Sequence, residues 1–217
     1  MSSSPAKAVR PVPRSSAAKQ ETRDALITAG LAAFAEHGLD VPSLDAICAR
    51  AGFTRGAFYV HFKDRDDFVV AVMERVLGGF LDAVIATGDD AHDLEHTVER
   101  FGDAIARAAG PRDDRDVVQP VLGAVQLYRL VDAAARSPVI RARLVEILSQ
   151  AVDRVARAAA AGQAGGAVRS DIDARRSAEL LVVAALGMMA AVELGVTLDV
   201  PALRETALTV LRAAPRG

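Results

Sequence analysis

With 217 residues, 51% of them hydrophobic, the chain can bury a sizeable core, either as one domain or as a small domain attached to a larger one. A net charge of −2 excludes a uniformly basic coat, yet from Met1 to Gln20 there are Lys7, Arg10, Arg14 and Lys19 and no acid. Cys48 is the only cysteine, which excludes an intrachain disulfide and suits a reducing compartment, so a cytoplasmic location is expected.

Met1 to Ser16 is rich in Ser, Pro and Ala, and residues 1–18 read as a flexible basic arm. The start carries no apolar run of the kind a signal peptide needs. From Lys19 a helical period begins, with Leu26, Ala29, Ala33, Phe34 and His37 on one stripe and Gly38 as the stop. Ser43 then caps a short helix whose apolar stripe is Leu44, Ile47, Cys48 and Ala51. Gly52 ends it, and after a tight turn Thr54 caps the next short helix, "TRGAFYVHF".

A fourth helix starts near Asp64 or Asp66 and runs to the Gly88 break. Further helices are expected over about Asp90 to Ala109, Asp116 to Arg136 and Pro138 to Ala161. "AGQAGGAVRSD" breaks the chain, and two more helices follow, about Asp173 to Leu194 and Pro201 to Ala213. The most apolar run, Leu180 to Val192, is too short to cross a bilayer and is followed at once by Glu193. No segment alternates as a strand would, so the predicted fold class is all-α.

The aromatics of the third helix divide. At 100° per residue Phe58 and Phe62 fall on one side, towards Phe53 and the preceding helix. The opposite side holds Gly56 and Val60, with Ala57 and Tyr59 on its shoulders. A slim face of this kind enters the major groove of DNA, which is about 12 Å wide. There Val60 and Ala57 meet thymine methyls, Arg55 pairs with guanine or phosphate, and Tyr59, His61, Lys63 and Arg65 grip the backbone. Short helix, glycine turn, short helix is the helix-turn-helix arrangement.

The stretch "SLDAICARAGFTRGAFYVHFKDRDDFVVAV" resembles the DNA-binding domain of the tetracycline-repressor (TetR) family of bacterial transcriptional regulators. The resemblance rests on Ser43 opening the second helix, Ala51-Gly52 ending it, and Tyr59-Val60-His61-Phe62 closing the recognition helix. It covers about Lys19 to Val72, and Arg65 stands where the family usually has a lysine. The remainder resembles the family in length, helicity and the "GQAGG" break.

The resemblance implies an N-terminal three-helix DNA-binding domain over 19–64, with Ser43 and Thr54 joining the DNA-contacting set, and a C-terminal helical ligand-binding and dimerisation domain over 65–217. It implies a homodimer on a near-palindromic operator of double-stranded DNA, and a repressor relieved by a small-molecule effector, with no membrane partner. Leu180, Val183, Ala184, Gly187, Met188, Ala191 and Leu194 recur at helical spacing and suit the dimer interface; the competing reading is an internal core helix. The basic arm either adds DNA contacts or is a solvated tail.

From Phe80 on, the aromatics are Phe80, Phe101 and Tyr128, so an aliphatic pocket and a hydrophobic effector are expected. Tyr128 shares a stripe with Val121 and Val125, with its hydroxyl either in the cavity or at the surface. "HDLEH", His92 to His96, has the spacing of one metalloprotease class, but the third ligand is unidentified and Asp89, Asp93 and Glu99 suit a solvated helix start. Cys48 lies on an apolar stripe and reads as core rather than as a redox switch. No catalytic residue, metal site or cofactor is expected.

Overall fold

The computed structural model describes residues 16–85, 94–109 and 126–212. Among these residues there are nine helices and no strand: α1 (Ser16–His37), α2 (Leu44–Ala51), α3 (Arg55–His61), α4 (Arg65–Val84), α5 (Leu94–Ala109), α6 (Leu127–Arg136), α7 (Pro138–Gly165), α8 (Ala174–Glu193) and α9 (Val200–Leu211). The all-α architecture is as expected.

Side-chain oxygens set most of the helix starts. Ser43 Oγ accepts from the Ala46 N–H at 3.1 Å, Thr54 Oγ1 from Ala57 at 3.3 Å and the Asp64 carboxylate from Asp67 at 2.9 Å. Ser137, Asp173 and Asp199 do the same for α7, α8 and α9. Gly52 ends α2 at φ 75°, a left-handed conformation that a side chain would strain, and so turns the chain directly into α3.

The first core lies under α1, α2 and α3. Phe58, Phe62 and Phe68 meet with ring centroids 4.9–5.2 Å apart, and Phe34 joins Phe68 edge-on at 6.0 Å. Phe68 belongs to α4, so the DNA-binding unit placed at 19–64 is completed by the first turns of the next helix. The same core continues into α6 and α7 through Leu130, Ala133, Ile140 and Leu144. A second core, from Phe80 and Val84 to Val155, Ala158 and Ala178, holds α4, α5, α7, α8 and α9 together.

Gly30 is where α1 meets α4. A Cβ there would sit 2.3 Å from Cζ of Phe68. Gly30→Ala should therefore destabilise the protein by about 1–3 kcal/mol through overpacking, although alanine favours a helix interior by about 1 kcal/mol. A urea midpoint unchanged or raised in this variant would show that Phe68 moves aside freely.

Several boundaries differ from expectation. Residues 16–18, assigned to the arm, are already helical, and the rest of the arm lies outside the described residues. His37 is exposed rather than on the buried stripe, because α1 turns its last buried contacts through Ala33 and Phe34. α4 ends at Val84, and Gly88 lies outside the described residues. α6 starts at Leu127 after an extended Gln126 (ψ 137°), so a helix continuous from Asp116 is excluded; Asp116, Pro120, Val121 and Val125 lie outside the described residues. α7 runs four residues beyond Ala161, because the left-handed stop is Gly166 (φ 77°), whose N–H reaches the carbonyls of Gln163 and Gly162.

Candidate nucleic-acid interface and effector cavity

The outer face of α3 is built on the phenylalanine cluster. Phe58 and Phe62 are buried, while Val60 is 66% exposed and Arg55, Gly56 and Tyr59 are exposed with it; Ala57 and His61 are half-buried. The Tyr59 ring stands edge-on to Phe58 at 5.4 Å, and the Arg55 guanidinium lies over Tyr59 at 5.9 Å. Tyr59, and beyond it the Asp45 carboxylate, hold the Arg55 guanidinium firmly protonated. The Arg55–Asp45 pair, 3.4 Å apart with both side chains more than half exposed, is weak and exchangeable. Lys63 is exposed just past the end of α3.

Three predicted contact residues have structural duties. Ser43 and Thr54 remain exposed but use their oxygens as caps, which leaves each hydroxyl its donor capacity. Arg65 corrects the sequence reading more strongly. Its guanidinium turns inward, donating to the carbonyl oxygens of Pro42 at 2.8 Å and Leu39 at 2.5 Å, and it lies over the Phe34 ring at 5.9 Å. Those carbonyls lie near the two ends of the α1–α2 connection and need a donor, so Arg65 clamps that loop to α4 instead of reaching for a backbone phosphate.

Cys48 is buried, and burial pushes its thiol up from the usual range, which disfavours the reactive thiolate. His92 lies outside the described residues, and no cluster able to hold a metal occurs among the described ones. His96 is exposed, 3.8 Å from the Glu99 carboxylate one turn on.

Between α4, α5, α6, α7, α8 and α9 lies a cavity of about 490 Å³. Phe80 and Phe101 stand on its wall, edge to face at 6.3 Å. Tyr128 does not: it is 55% exposed, and its hydroxyl accepts from Arg129 Nε at 3.1 Å. Since α6 begins at Leu127, its inner face carries Leu127, Leu130 and Val131, and Tyr128 is rotated about 100° away from it. The stripe drawn through Val121 and Val125 presumed a helix that the extended Gln126 interrupts. Sequence reasoning also missed Glu193, whose carboxylate accepts from the Leu127 N–H at 2.5 Å and so joins the end of α8 to the start of α6.

The proposed dimer stripe on α8 divides between two faces. Leu180, Val183 and Leu194 are 63%, 66% and 81% exposed, and Gly187 is exposed between them. Met188 is half-buried and lines the cavity, Ala184 lines it while remaining exposed, and Ala191 is half-buried. A helix wholly inside one chain's core would not show this outer face.

The model of bacterial regulatory proteins of the tetR family matches residues 26–72. The HTH-type transcriptional regulator AcrR of Shigella flexneri is 42% identical over 55 residues, which are 25% of this chain and 26% of AcrR. The likeness in sequence thus spans about a quarter of that relative's length. Among solved structures, a TetR-family regulator from Rhodococcus sp. superposes with a TM-score of 0.69 at 21% identity, covering 88% of this chain and 96% of that one. SmeT of Stenotrophomonas maltophilia in complex with triclosan gives 0.69 at 24% identity, covering 89% of this chain and 93% of SmeT.

Proposed function

We propose that this chain, whose residues 26–72 match the model of bacterial regulatory proteins of the tetR family, is a transcription regulator of that family, a homodimeric repressor released from its operator by a hydrophobic effector. The observation that carries the reading is the slim outer face of α3, with Val60 exposed over a sealed phenylalanine cluster. On this reading Arg55, Gly56, Ala57 and Val60 enter the major groove. Ser43, Thr54, Tyr59, His61 and Lys63 hold phosphates, and Arg65 positions the loop before α2.

Two such faces, related by the twofold axis of a dimer built on Leu180, Val183, Gly187 and Leu194, meet successive grooves about 34–36 Å apart. The site of action is the cytoplasm; no helix among the described residues is long and apolar enough to cross a membrane.

The cavity takes the effector. SmeT holds triclosan, and a pocket of about 490 Å³ lies within the range that encloses drug-sized molecules. A ligand shifts operator affinity only by preferring one arrangement of the two readers, and α4 carries the signal because it closes both cores. The test is selection of bound fragments from genomic DNA, followed by a gel shift across salt concentrations. Binding should fall steeply and linearly on a logarithmic salt scale, since phosphate contacts release counterions, and triclosan is the first effector probe. Recovery of no preferred fragment would overturn the reading.

A further inference from the structure

The described wall of the cavity is apolar except at two side chains, Thr97 on α5 and Arg204 on α9. Thr97 is buried. Arg204 differs in kind. Its aliphatic stem lies against Gly102, where a Cβ would meet its Cδ at 3.2 Å, so the stem forms part of the wall. Its guanidinium emerges at the seam of α5 and α9 and lies 3.3 Å from the Asp103 carboxylate, with the Arg204 side chain about one-third exposed and that of Asp103 more than half. The cavity is thus an apolar body with a cation at its rim.

We infer that the effector is an acidic amphiphile, an aliphatic tail ending in a carboxylate, whose tail fills the cavity and whose head replaces Asp103 on Arg204. The inference rests on the cavity being the effector site. A guanidinium presents paired donors that match a carboxylate, and such charge-assisted pairs are the strong hydrogen bonds. The partner it must give up is a solvent-exposed pair of the weak kind. A cationic amphiphile is disfavoured: the described wall offers it no carboxylate, the one beside the rim, Asp103, is already paired with Arg204, and Arg204 itself repels a cation. An uncharged amphiphile gains only the burial of its tail.

Calorimetric titration of the full chain at neutral pH with decanoate, decanol and decyltrimethylammonium tests this. Decanoate should bind about tenfold more tightly than decanol, the difference one charge-assisted pair supplies, and decyltrimethylammonium more weakly than either. Arg204→Gln should bring decanoate down to the level of decanol while leaving decanol unchanged, which also reports an intact cavity. Arg204→Lys should restore part of the preference, and Asp103→Asn should strengthen decanoate alone by removing its competitor. Equal affinities of decanoate and decanol for the unaltered protein, or a decanoate affinity indifferent to Arg204→Gln, overturn the acidic class while leaving the cavity as a binding site. Failure of all the probes to bind overturns the cavity reading itself.

Discussion

Phe58→Ala should cost about 3–5 kcal/mol and abolish DNA binding. The ring is buried without remainder and touches Tyr59, Phe62 and Phe68, so truncation leaves a void at the centre of the aromatic cluster. α3 has only seven residues, too few to persist without packing, since isolated helices below about 12–15 residues are marginal in water. The loss is a large share of the roughly 5–15 kcal/mol that holds an ordinary domain folded. Denaturant unfolding and a gel shift on the selected fragment measure both effects, and Phe58→Leu, which keeps an apolar side chain there, should lose less of each. A Phe58→Ala protein with the parent's midpoint would mean that the cluster does not hold α3 in place.

Val60→Asp should act in the opposite way, on binding and hardly at all on folding. Val60 is largely exposed on α3, and valine and aspartate have similar helix propensities, so the stability change should stay within about 0.5 kcal/mol. On DNA the new carboxylate faces phosphates and base acceptors, and like charges brought together at an interface cost several kcal/mol. Affinity should fall by more than about a hundredfold. A titration series at fixed salt reads the effect, and circular dichroism confirms the fold. Full operator affinity in Val60→Asp would remove α3 from the groove and the repressor reading with it.

The contrast between these neighbouring positions was legible before any coordinates. Helical spacing alone separates Phe58 from Gly56 and Val60, because consecutive side chains are rotated by a fixed angle; Phe62, the extended residue that follows α3, is held inward by the aromatic cluster. The caps at Ser43 and Thr54 and the stop at Gly52 are equally local, each depending on backbone groups within a few residues.

Other features depended on the fold. Arg65 looks in sequence like one more surface cation beside Lys63, but the carbonyls it clamps are 23 and 26 residues earlier in the chain, beyond any local pattern. Tyr128 failed as a cavity residue because the start of α6 sets which side faces inward, and that start is held by Glu193, 66 residues away. The apolar run on α8 shows the same division. Sequence determines that its side chains are apolar; only tertiary packing decides that Met188 turns to the cavity while Leu180 and Val183 turn outward. Periodicity follows from covalent geometry and is written into the chain, whereas the choice of which apolar surface meets which is made by long-range contacts that no short window contains.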